Sequence, residues 1–302
     1  MMFGFRDEFE YIECSACGCL QIRDIPANLS TYYPASYYSF HQKNNSESLL
    51  IHPLRAFLKR QRMKYFLHDK RFLGWLISKF SRTRFDYKWS WLKKVGVQPE
   101  DAILDVGCGA GHLLARLQVH GFSNLTGVDP FIGGDIIQDK IRIYKKELTE
   151  MEGEFDFILF NHSFEHMSQP LAILRSVQRL LKPQRYALLR IPVASSLAWK
   201  HYGVNWGQLD APRHLFLHTP KSIKLLADQA HLQLVDIIYD SYEFQFWVSE
   251  QYARDIPLLD SRSYVNDPQA FTRQEIAAFK DQAAELNRRG EGDQASFYLY
   301  KL

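Results

Sequence analysis

Cysteine is scarce in this sequence and long apolar runs are missing. Only four cysteines occur in 302 residues, and three of them lie between positions 14 and 19. Four thiols so arranged do not make a disulfide framework. No apolar stretch reaches the roughly 20 residues that span a bilayer, and the N-terminus has no basic region followed by an apolar one. We therefore expect a cytoplasmic protein without a membrane-spanning segment.

Positive charge exceeds negative charge only slightly, since the formal net charge is +3. Its distribution is uneven, because segment 55–94 holds thirteen Lys or Arg against two Asp, interleaved with aromatic and aliphatic residues. This pattern is typical of an amphipathic helix on an anionic membrane, and equally of ordinary helices with solvated basic faces. Contact with the inner face of the membrane through 55–94 is thus one expectation. No nucleic-acid motif accompanies the charge, so we expect no nucleic-acid partner.

Strand-like and helix-like segments alternate from about residue 100 onward. This alternation predicts an α/β fold, with a Rossmann-like, mostly parallel, seven-stranded sheet covered by helices on both faces. The predicted strands begin near residues 102, 125, 141, 155, 186, 232 and 295. The predicted regions are a small irregular cysteine- and tyrosine-rich cap (1–54), a basic amphipathic helical segment (55–98), the core (99–242), and a helical insertion with a final edge strand (243–302).

The first strand of the core runs into a glycine-rich turn, "LDVGCGAGHLL". Asp105, Gly107, Gly109 and Gly111 form the pattern D-x-G-x-G-x-G, in which the glycines allow tight backbone conformations and close approach of a ligand. Asp129 ends the second strand, about 20 residues later, where a carboxylate can accept hydrogen bonds from both hydroxyls of a ribose.

Two classes of cofactor use a turn of this kind. A dinucleotide fingerprint is G-x-G-x-x-G, but here the third glycine comes one residue early and His112 takes its place. An NAD(P)-dependent sugar oxidoreductase of the short-chain type would also want a Y-x-x-x-K pair, which the sequence lacks. An adenosyl sulfonium carries no phosphate and suits a different loop.

The chain resembles the class I S-adenosylmethionine-dependent methyltransferases over roughly residues 90–240 and again in the last strand. The motifs are "ILDVGCGAGHLL", "TGVDP", "EFDFILFNHSFEH" and "LLKPQRYALLRIP", although the usual glycine after "LLKP" is missing. The resemblance implies S-adenosyl-L-methionine as cofactor. It places Glu147 near the adenine and His162 near the methionine end. The expected cofactor-binding residues are Asp105, Gly107, Cys108, Gly109, Gly111, His112, Asp129, Glu147, Asn161 and His162.

A narrower resemblance concerns "YYPASYYSF" and "WGQLDAPRHLFLHT", which look like methyltransferases of bacterial polysaccharide and glycan biosynthesis. It implies O-methylation of a sugar or a lipid-linked glycan intermediate. His214 is then the first candidate base and His162 the second, because a hydroxyl must lose its proton. The expected substrate-binding residues are Trp206, Asp210, Arg213 and Tyr202. A methyltransferase-like partner protein without activity is the remaining alternative.

Two patterns raise the question of a metal. His162, Glu165 and His166 have the spacing H-x-x-E-H of an inverted zinc-peptidase motif, but that motif needs a helix and these residues follow a strand. Many of the resembling methyltransferases carry a Glu-His pair at this place without a metal. Cys14, Cys17 and a nearby Cys19 offer one C-x-x-C pair and no second one. We therefore expect no metal.

Overall fold

The computed structural model describes residues 2–33, 53–68, 76 and 89–302. Its strands form two sheets, a three-stranded one in the order β1-β2-β9 and an eight-stranded one in the order β10-β11-β8-β7-β3-β4-β6-β5. In chain order the strands are β1 (Tyr11–Glu13), β2 (Leu20–Ile22), β3 (Ala102–Val106), β4 (Asn124–Val128), β5 (Ile136–Gln138), β6 (Ile141–Tyr144), β7 (Phe155–Asn161), β8 (Leu181–Pro192), β9 (Phe216–Leu217), β10 (Gln233–Tyr239) and β11 (Gln294–Tyr300).

The centre of the large sheet is parallel, as predicted. Strand β3 pairs in parallel with both β4 and β7, and β4 pairs in parallel with β6. The first six residues of β7 are all buried, which is typical of a parallel strand covered on both faces. The sheet has eight strands rather than seven, because β5 adds an antiparallel hairpin to β6 through a turn in which Asp139 has φ 48°.

The last strand does not lie at an edge, and this part of the prediction was wrong. Strand β11 lies between β10 and β8. Its first six residues are buried, whereas β10 alternates between exposed and half-buried residues and is the edge strand. An apolar run such as "ASFYLY" has most to gain from a position inside the sheet, because both of its faces are then removed from water.

Helices connect most of the strands of the large sheet. They are α1 (Pro53–His68), α2 (Ser90–Lys94), α3 (His112–Val119), α4 (Pro170–Leu180), α5 (Leu197–Tyr202), α6 (Pro220–Gln229), α7 (Phe244–Ala253) and α8 (Arg273–Arg289). The predicted insertion after β10 is helical and consists of α7 and α8. Helix α8 begins with a capping box between Thr272 and Glu275 and ends at Gly290 in the left-handed conformation.

The chain divides into two compact units. The first unit comprises Met1–Pro34, His162–Arg175 and Leu188–Leu299, and the second comprises Ala35–Asn161, Ser176–Ala187 and Tyr300–Leu302. Within the first unit, β1 and β2 form an antiparallel hairpin that pairs with β9. The described part of the N-terminal region thus contributes two short strands to a small sheet, and most of its other residues are irregular.

Only part of the basic segment 55–94 is described. Helix α1 covers its beginning and α2 its end, while 69–75 and 77–88 lie outside the described residues. The proposed amphipathic membrane surface therefore stays a prediction. Among the residues that the structure describes, no helix has both the length and the apolar character needed to cross a membrane.

Candidate active site

In the second unit, the loop between β3 and α3 has the backbone that its glycines predict. Gly107, Gly109 and Gly111 have φ values of 72°, 53° and 78°, in the left-handed region that favours glycine. Gly111 is also the N-cap residue of α3, and a Cβ atom there would clash with Cδ1 of Ile143. A larger residue would therefore have to displace the Ile143 side chain and adopt a positive φ. A loop with this backbone at a helix N-terminus allows a ligand to approach the main chain closely.

Asp129 holds the same loop from the end of β4. Its Oδ2 accepts a hydrogen bond from the Gly109 N–H at 2.9 Å, and its Oδ1 accepts one from the Phe131 N–H at 2.9 Å. The carboxylate is 6% exposed. Each of its oxygens keeps a second lone pair, so the predicted role toward a ribose is compatible with this geometry. The sequence did not show that Asp129 also orients the glycine loop.

Two further groups of the loop, the Asp105 carboxyl and the Cys108 thiol, are buried, and burial disfavours their charged forms. Asp105 is 3% exposed, and burial, with a smaller contribution from the charge of Asp129, raises the pKa of its carboxyl to about 8. Burial, followed by the charges of Asp105 and Asp129, also raises the pKa of the Cys108 thiol. At neutral pH this pocket therefore holds a protonated thiol and a largely protonated carboxyl, and a cation bound beside them would lower the pKa of that carboxyl.

The remaining predicted cofactor residues of the second unit lie at the ends of their elements. His112 is the first residue of α3 and is half-buried, and Asn161 is the exposed last residue of β7. Glu147 forms a capping box with Glu150, and its pKa is raised by burial and by the charges of Glu150 and Asp129. These positions neither confirm nor contradict the predicted contacts with a cofactor.

In the first unit, the residues after β7 form a buried cluster around Glu165. His162 has φ 55°, and a short 3₁₀ turn of residues 164–166 follows it. The Glu165 side chain has no exposed surface, and neither of its carboxylate oxygens accepts a hydrogen bond. Its Oε1 lies 3.6 Å from Nδ1 of His162 and 3.9 Å from Nε2 of His214. Burial opposes ionisation of Glu165, but the neighbouring imidazoles outweigh it and lower its pKa to about 2.

Of the two candidate bases, His214 is held in a defined tautomer. Its Nδ1 lies 2.7 Å from the carbonyl oxygen of Gln208, and a carbonyl can only accept, so the ring proton is on Nδ1. Burial, with a smaller effect from His166, lowers the pKa of His214 to about 4. At neutral pH the ring is therefore uncharged and its Nε2 carries a lone pair. Tyr11 donates from its hydroxyl to the backbone carbonyl of His214 at 2.7 Å and fixes the loop.

His162, the second candidate base, is engaged at its acceptor nitrogen. Nη1 of Arg190 lies 3.0 Å from Nε2 of His162, and Arg190 in turn donates from Nε to Asp240 at 2.6 Å. The guanidinium can only donate, so the ring proton of His162 is on Nδ1, on the side of Glu165. His162 therefore orients Glu165 in this structure, and the sequence did not reveal the arginine or the aspartate that fix it.

The predicted substrate residues Asp210 and Arg213 bind each other. Nη2 of Arg213 donates to Oδ1 of Asp210 at 2.6 Å, and Arg213 is only 3% exposed. Its guanidinium also lies over the rings of Phe3 and Tyr33, 5.0 and 5.7 Å from their centroids. Burial opposes the ionisation of Asp210, but the charge of Arg213 outweighs it and lowers the pKa. A pair this closely engaged braces the loop and does not support the predicted grip on a substrate anion.

The two predicted aromatic platforms are also engaged within the protein. Trp206 has no exposed surface, packs in a core cluster, and donates from its indole N–H to Asp293 at 3.0 Å. Tyr202 is half-buried and donates to Glu250 at 3.0 Å. A completely buried indole cannot stack on a sugar ring, so the structure does not support that role for Trp206. The sequence predicts that Trp206 stacks on a sugar ring. Its burial depends on tertiary packing, which the sequence does not show.

The H-x-x-E-H pattern is not arranged as in a zinc peptidase, because its residues do not share a helix. The structure instead brings Glu165 and His166 to His214, 48 residues after His166 in the chain. Each of the three offers one ligand atom, and these atoms lie within 4.8 Å of one another. His166, which was not among the predicted site residues, has its ring centroid 4.7 Å from that of His214.

The cysteines are free thiols. Cys14 and Cys17 form the tight turn between β1 and β2, in which the Gly18 N–H donates to the Cys14 carbonyl at 2.7 Å. Cys19 is buried, with its Sγ 3.7 Å from Nδ1 of His218. The expectation that these thiols bind no metal remains a prediction.

Together, the parallel sheet, the three-glycine loop and the acid at the end of β4 are typical of Rossmann-like folds that bind nucleoside-type cofactors. The chain belongs to the methyltransferase-domain family, whose model matches residues 61–237. This family match does not favour the alternative of an NAD(P)-dependent oxidoreductase.

Curated relatives match a shorter part of the chain. A ubiquinone biosynthesis O-methyltransferase of Dechloromonas aromatica is 35% identical over 95 residues, which cover 27% of this chain and 40% of that protein. The mitochondrial ubiquinone biosynthesis O-methyltransferase of Saccharomyces cerevisiae is 34% identical over 104 residues, covering 29% and 32%. The chain thus spans less than half the length of these relatives. None of these relatives has a name that refers to polysaccharide or glycan biosynthesis.

Solved structures resemble the chain over a larger part of its length but at lower sequence identity. An S-adenosylmethionine-dependent methyltransferase from Archaeoglobus fulgidus is 17% identical with a TM-score of 0.42, covering 72% of this chain and 100% of that one. A sarcosine dimethylglycine methyltransferase from Galdieria sulphuraria is 16% identical with a TM-score of 0.46, covering 71% and 84%. Likenesses at this level add nothing to the strand order given above.

Proposed function

We propose that this protein transfers the methyl group of S-adenosylmethionine to a hydroxyl oxygen of its acceptor. The observation that carries the proposal is the buried cluster around Glu165, in which proton-accepting atoms predominate. Both oxygens of Glu165 accept no hydrogen bond, and Nε2 of His214 carries a lone pair. A hydroxyl loses its proton when its oxygen is methylated, so a hydroxyl acceptor requires such surroundings. The names of the curated relatives, O-methyltransferases, point to the same acceptor atom.

The cofactor part of the proposal concerns the second unit alone. This unit binds the cofactor through the glycine loop and Asp129, and its nearly neutral Asp105 pocket tolerates the positive charge of a sulfonium. S-Adenosylmethionine provides an activated methyl group, so the protein has to align the acceptor, exclude water and remove the hydroxyl proton.

The identity of the acceptor is the finer part of the proposal. The proposal of a sugar or lipid-linked glycan acceptor depends on two sequence motifs. The burial of Trp206 removes the surface on which such a sugar would stack. The names of the relatives make a hydroxyl-bearing ubiquinone precursor the first acceptor to test. Contact with a membrane through 55–94 would suit a lipid-linked acceptor of either kind. Co-sedimentation with anionic vesicles tests that contact separately.

The test of function is transfer of radiolabelled methyl from S-adenosylmethionine to a panel of acceptors. The panel contains phenolic ubiquinone precursors, nucleotide- and lipid-linked sugars, and amine-bearing peptides as the competing class. We expect label in a hydroxyl acceptor and a loss of at least tenfold in the His214→Asn variant, with His201→Asn as a matched exposed control. Label confined to the amines would contradict O-methylation. Binding of the cofactor without transfer to any acceptor would favour the non-catalytic partner.

A further inference from the structure

The cluster around Glu165 has the donor set of a metal site. One carboxylate and two imidazoles converge so that one ligand atom from each of Glu165, His166 and His214 lies within 4.8 Å of the others. Two histidines with one glutamate is a ligand set used by catalytic zinc, which keeps a further position open. Oε1 of Glu165 and Nε2 of His214 are 3.9 Å apart. Two ligands of one tetrahedral zinc are about 3.3 Å apart at bond lengths near 2.0 Å, so small side-chain rotations close this gap.

Backbone carbonyls orient both imidazoles for coordination. Nδ1 of His214 donates to the Gln208 carbonyl at 2.7 Å, and Nδ1 of His166 lies 2.8 Å from the Arg213 carbonyl. In each ring the proton is thus on Nδ1 and the lone pair on Nε2. A carbonyl partner on the second nitrogen is the usual companion of a metal-binding histidine, because it fixes both the tautomer and the ring plane.

The charge balance of the cluster also points to a cation. Arg213 neutralises Asp210, and Arg190 neutralises Asp240. The carboxylate of Glu165 has no exposed surface, and no arginine or lysine in the described part of the chain forms an ion pair with it. Its ion-pair neighbours in the described part of the chain are the imidazoles of His162 and His214, at 3.6 and 3.9 Å from its Oε1. A divalent cation between Glu165 and the imidazoles would add a permanent positive charge beside the carboxylate.

We propose that Glu165, His166 and His214 bind one divalent transition-metal ion through the Glu165 carboxylate and the two Nε2 atoms, and that an open coordination position of this ion takes the acceptor's hydroxyl oxygen. The second half of this proposal rests on the proposed O-methyl transfer. The metal lowers the pKa of the bound hydroxyl, whose proton passes to water. The oxygen then forms its bond to the methyl carbon while the carbon–sulfur bond breaks, and sulfur keeps the electron pair as neutral S-adenosylhomocysteine. His214 then acts as a ligand rather than as the base.

Metal binding is tested by calorimetric titration of the chelator-treated full chain with Zn²⁺. The titration uses a Cys14→Ser/Cys17→Ser background, so that the C-x-x-C pair does not compete for zinc. We expect one equivalent to bind with micromolar or tighter affinity. His166→Gln, His214→Gln and Glu165→Gln should each weaken binding at least tenfold, while His201→Gln, which changes an exposed histidine of the same unit, should leave it unchanged. Co²⁺ should give a visible spectrum that is lost in the same three variants.

The affinity for S-adenosylhomocysteine and the urea unfolding curve are measured on every variant, which separates loss of a ligand from loss of the fold. Variants that unfold normally and still bind zinc as the background does would overturn the site. A chelator-treated protein that methylates a hydroxyl at the full rate would overturn the role of the metal while leaving O-methyl transfer intact. Stoichiometric zinc that depends on the three residues would uphold the site even where no hydroxyl is methylated, and the proposed function would then fail alone.

Discussion

The buried carboxyl of Asp105 should make the stability of the cofactor-free protein fall as the pH rises. The pKa of Asp105 is raised from 3.8 to about 8, chiefly by burial. Between these values the folded state keeps a proton that the unfolded state has released, so the free energy of unfolding decreases through this window and is level above it. At about 1.4 kcal/mol per pH unit, the retained proton lowers the free energy of unfolding at pH 7 by on the order of 4 kcal/mol relative to pH values below 3.8.

Asp105→Asn removes the titration while keeping the shape of the side chain. The variant should gain stability relative to the wild type between pH 5 and pH 8, by roughly 1.4 kcal/mol per unit, and keep that gain above pH 8. Urea unfolding at pH 5, 6, 7, 8 and 9 measures the difference, from which other titrating groups cancel. Asp139→Asn, in the exposed turn before β6, is the control for replacing a carboxylate at an exposed position. The reasoning would be refuted if the difference in unfolding free energy between Asp105→Asn and the wild type did not change with pH. It would also be refuted if the variant lost stability relative to the wild type as the pH rises.

Three further substitutions test the cofactor loop and the core. Asp129→Ala should weaken binding of S-adenosylhomocysteine by about 1 to 3 kcal/mol in calorimetry, because ribose contacts and loop orientation are both lost; unchanged affinity would remove the carboxylate from the site. Gly111→Ala should destabilise the protein by more than about 1 kcal/mol, because φ is 78° and the added Cβ clashes with Ile143. The control Gly133→Ala, with open space around it, should change the free energy of unfolding by less than about 0.5 kcal/mol. Trp206→Phe leaves Asp293 without its indole donor and should lower the thermal unfolding temperature, by an amount equivalent to about 1 to 3 kcal/mol; equal melting temperatures would show that this bond is not important.

The sequence predicted the sheet and the cofactor loop because both depend on local patterns. Buried parallel strands read as continuous apolar runs, and three glycines at alternate positions after such a strand indicate a backbone with positive φ. The position of β11 was not predictable in this way. An apolar strand can pair with several neighbours, and the choice depends on contacts between elements that are distant in the chain.

Only part of the Glu165 cluster could be predicted from the sequence. The local spacing drew attention to His162, Glu165 and His166, but it suggested a helix that does not exist. His214 joins them because the Leu215 N–H donates to the Glu165 carbonyl at 2.8 Å, a contact between two loops. Likewise Arg190, which engages His162, lies within a strand, and the sequence motif that contains it does not indicate this contact. Side chains whose roles are set by such long-range contacts leave no periodic signal.

The atom that receives the methyl group tests the central claim most directly. The protein is incubated with S-adenosylmethionine carrying a ¹³C methyl group and with the acceptor that gives transfer, and the product is examined by carbon NMR. Our account predicts a methyl resonance in the methyl-ether region, coupled to the carbon that bore the hydroxyl. A methyl group on nitrogen or carbon would contradict O-methyl transfer and the acceptor chemistry assigned to Glu165, His166 and His214.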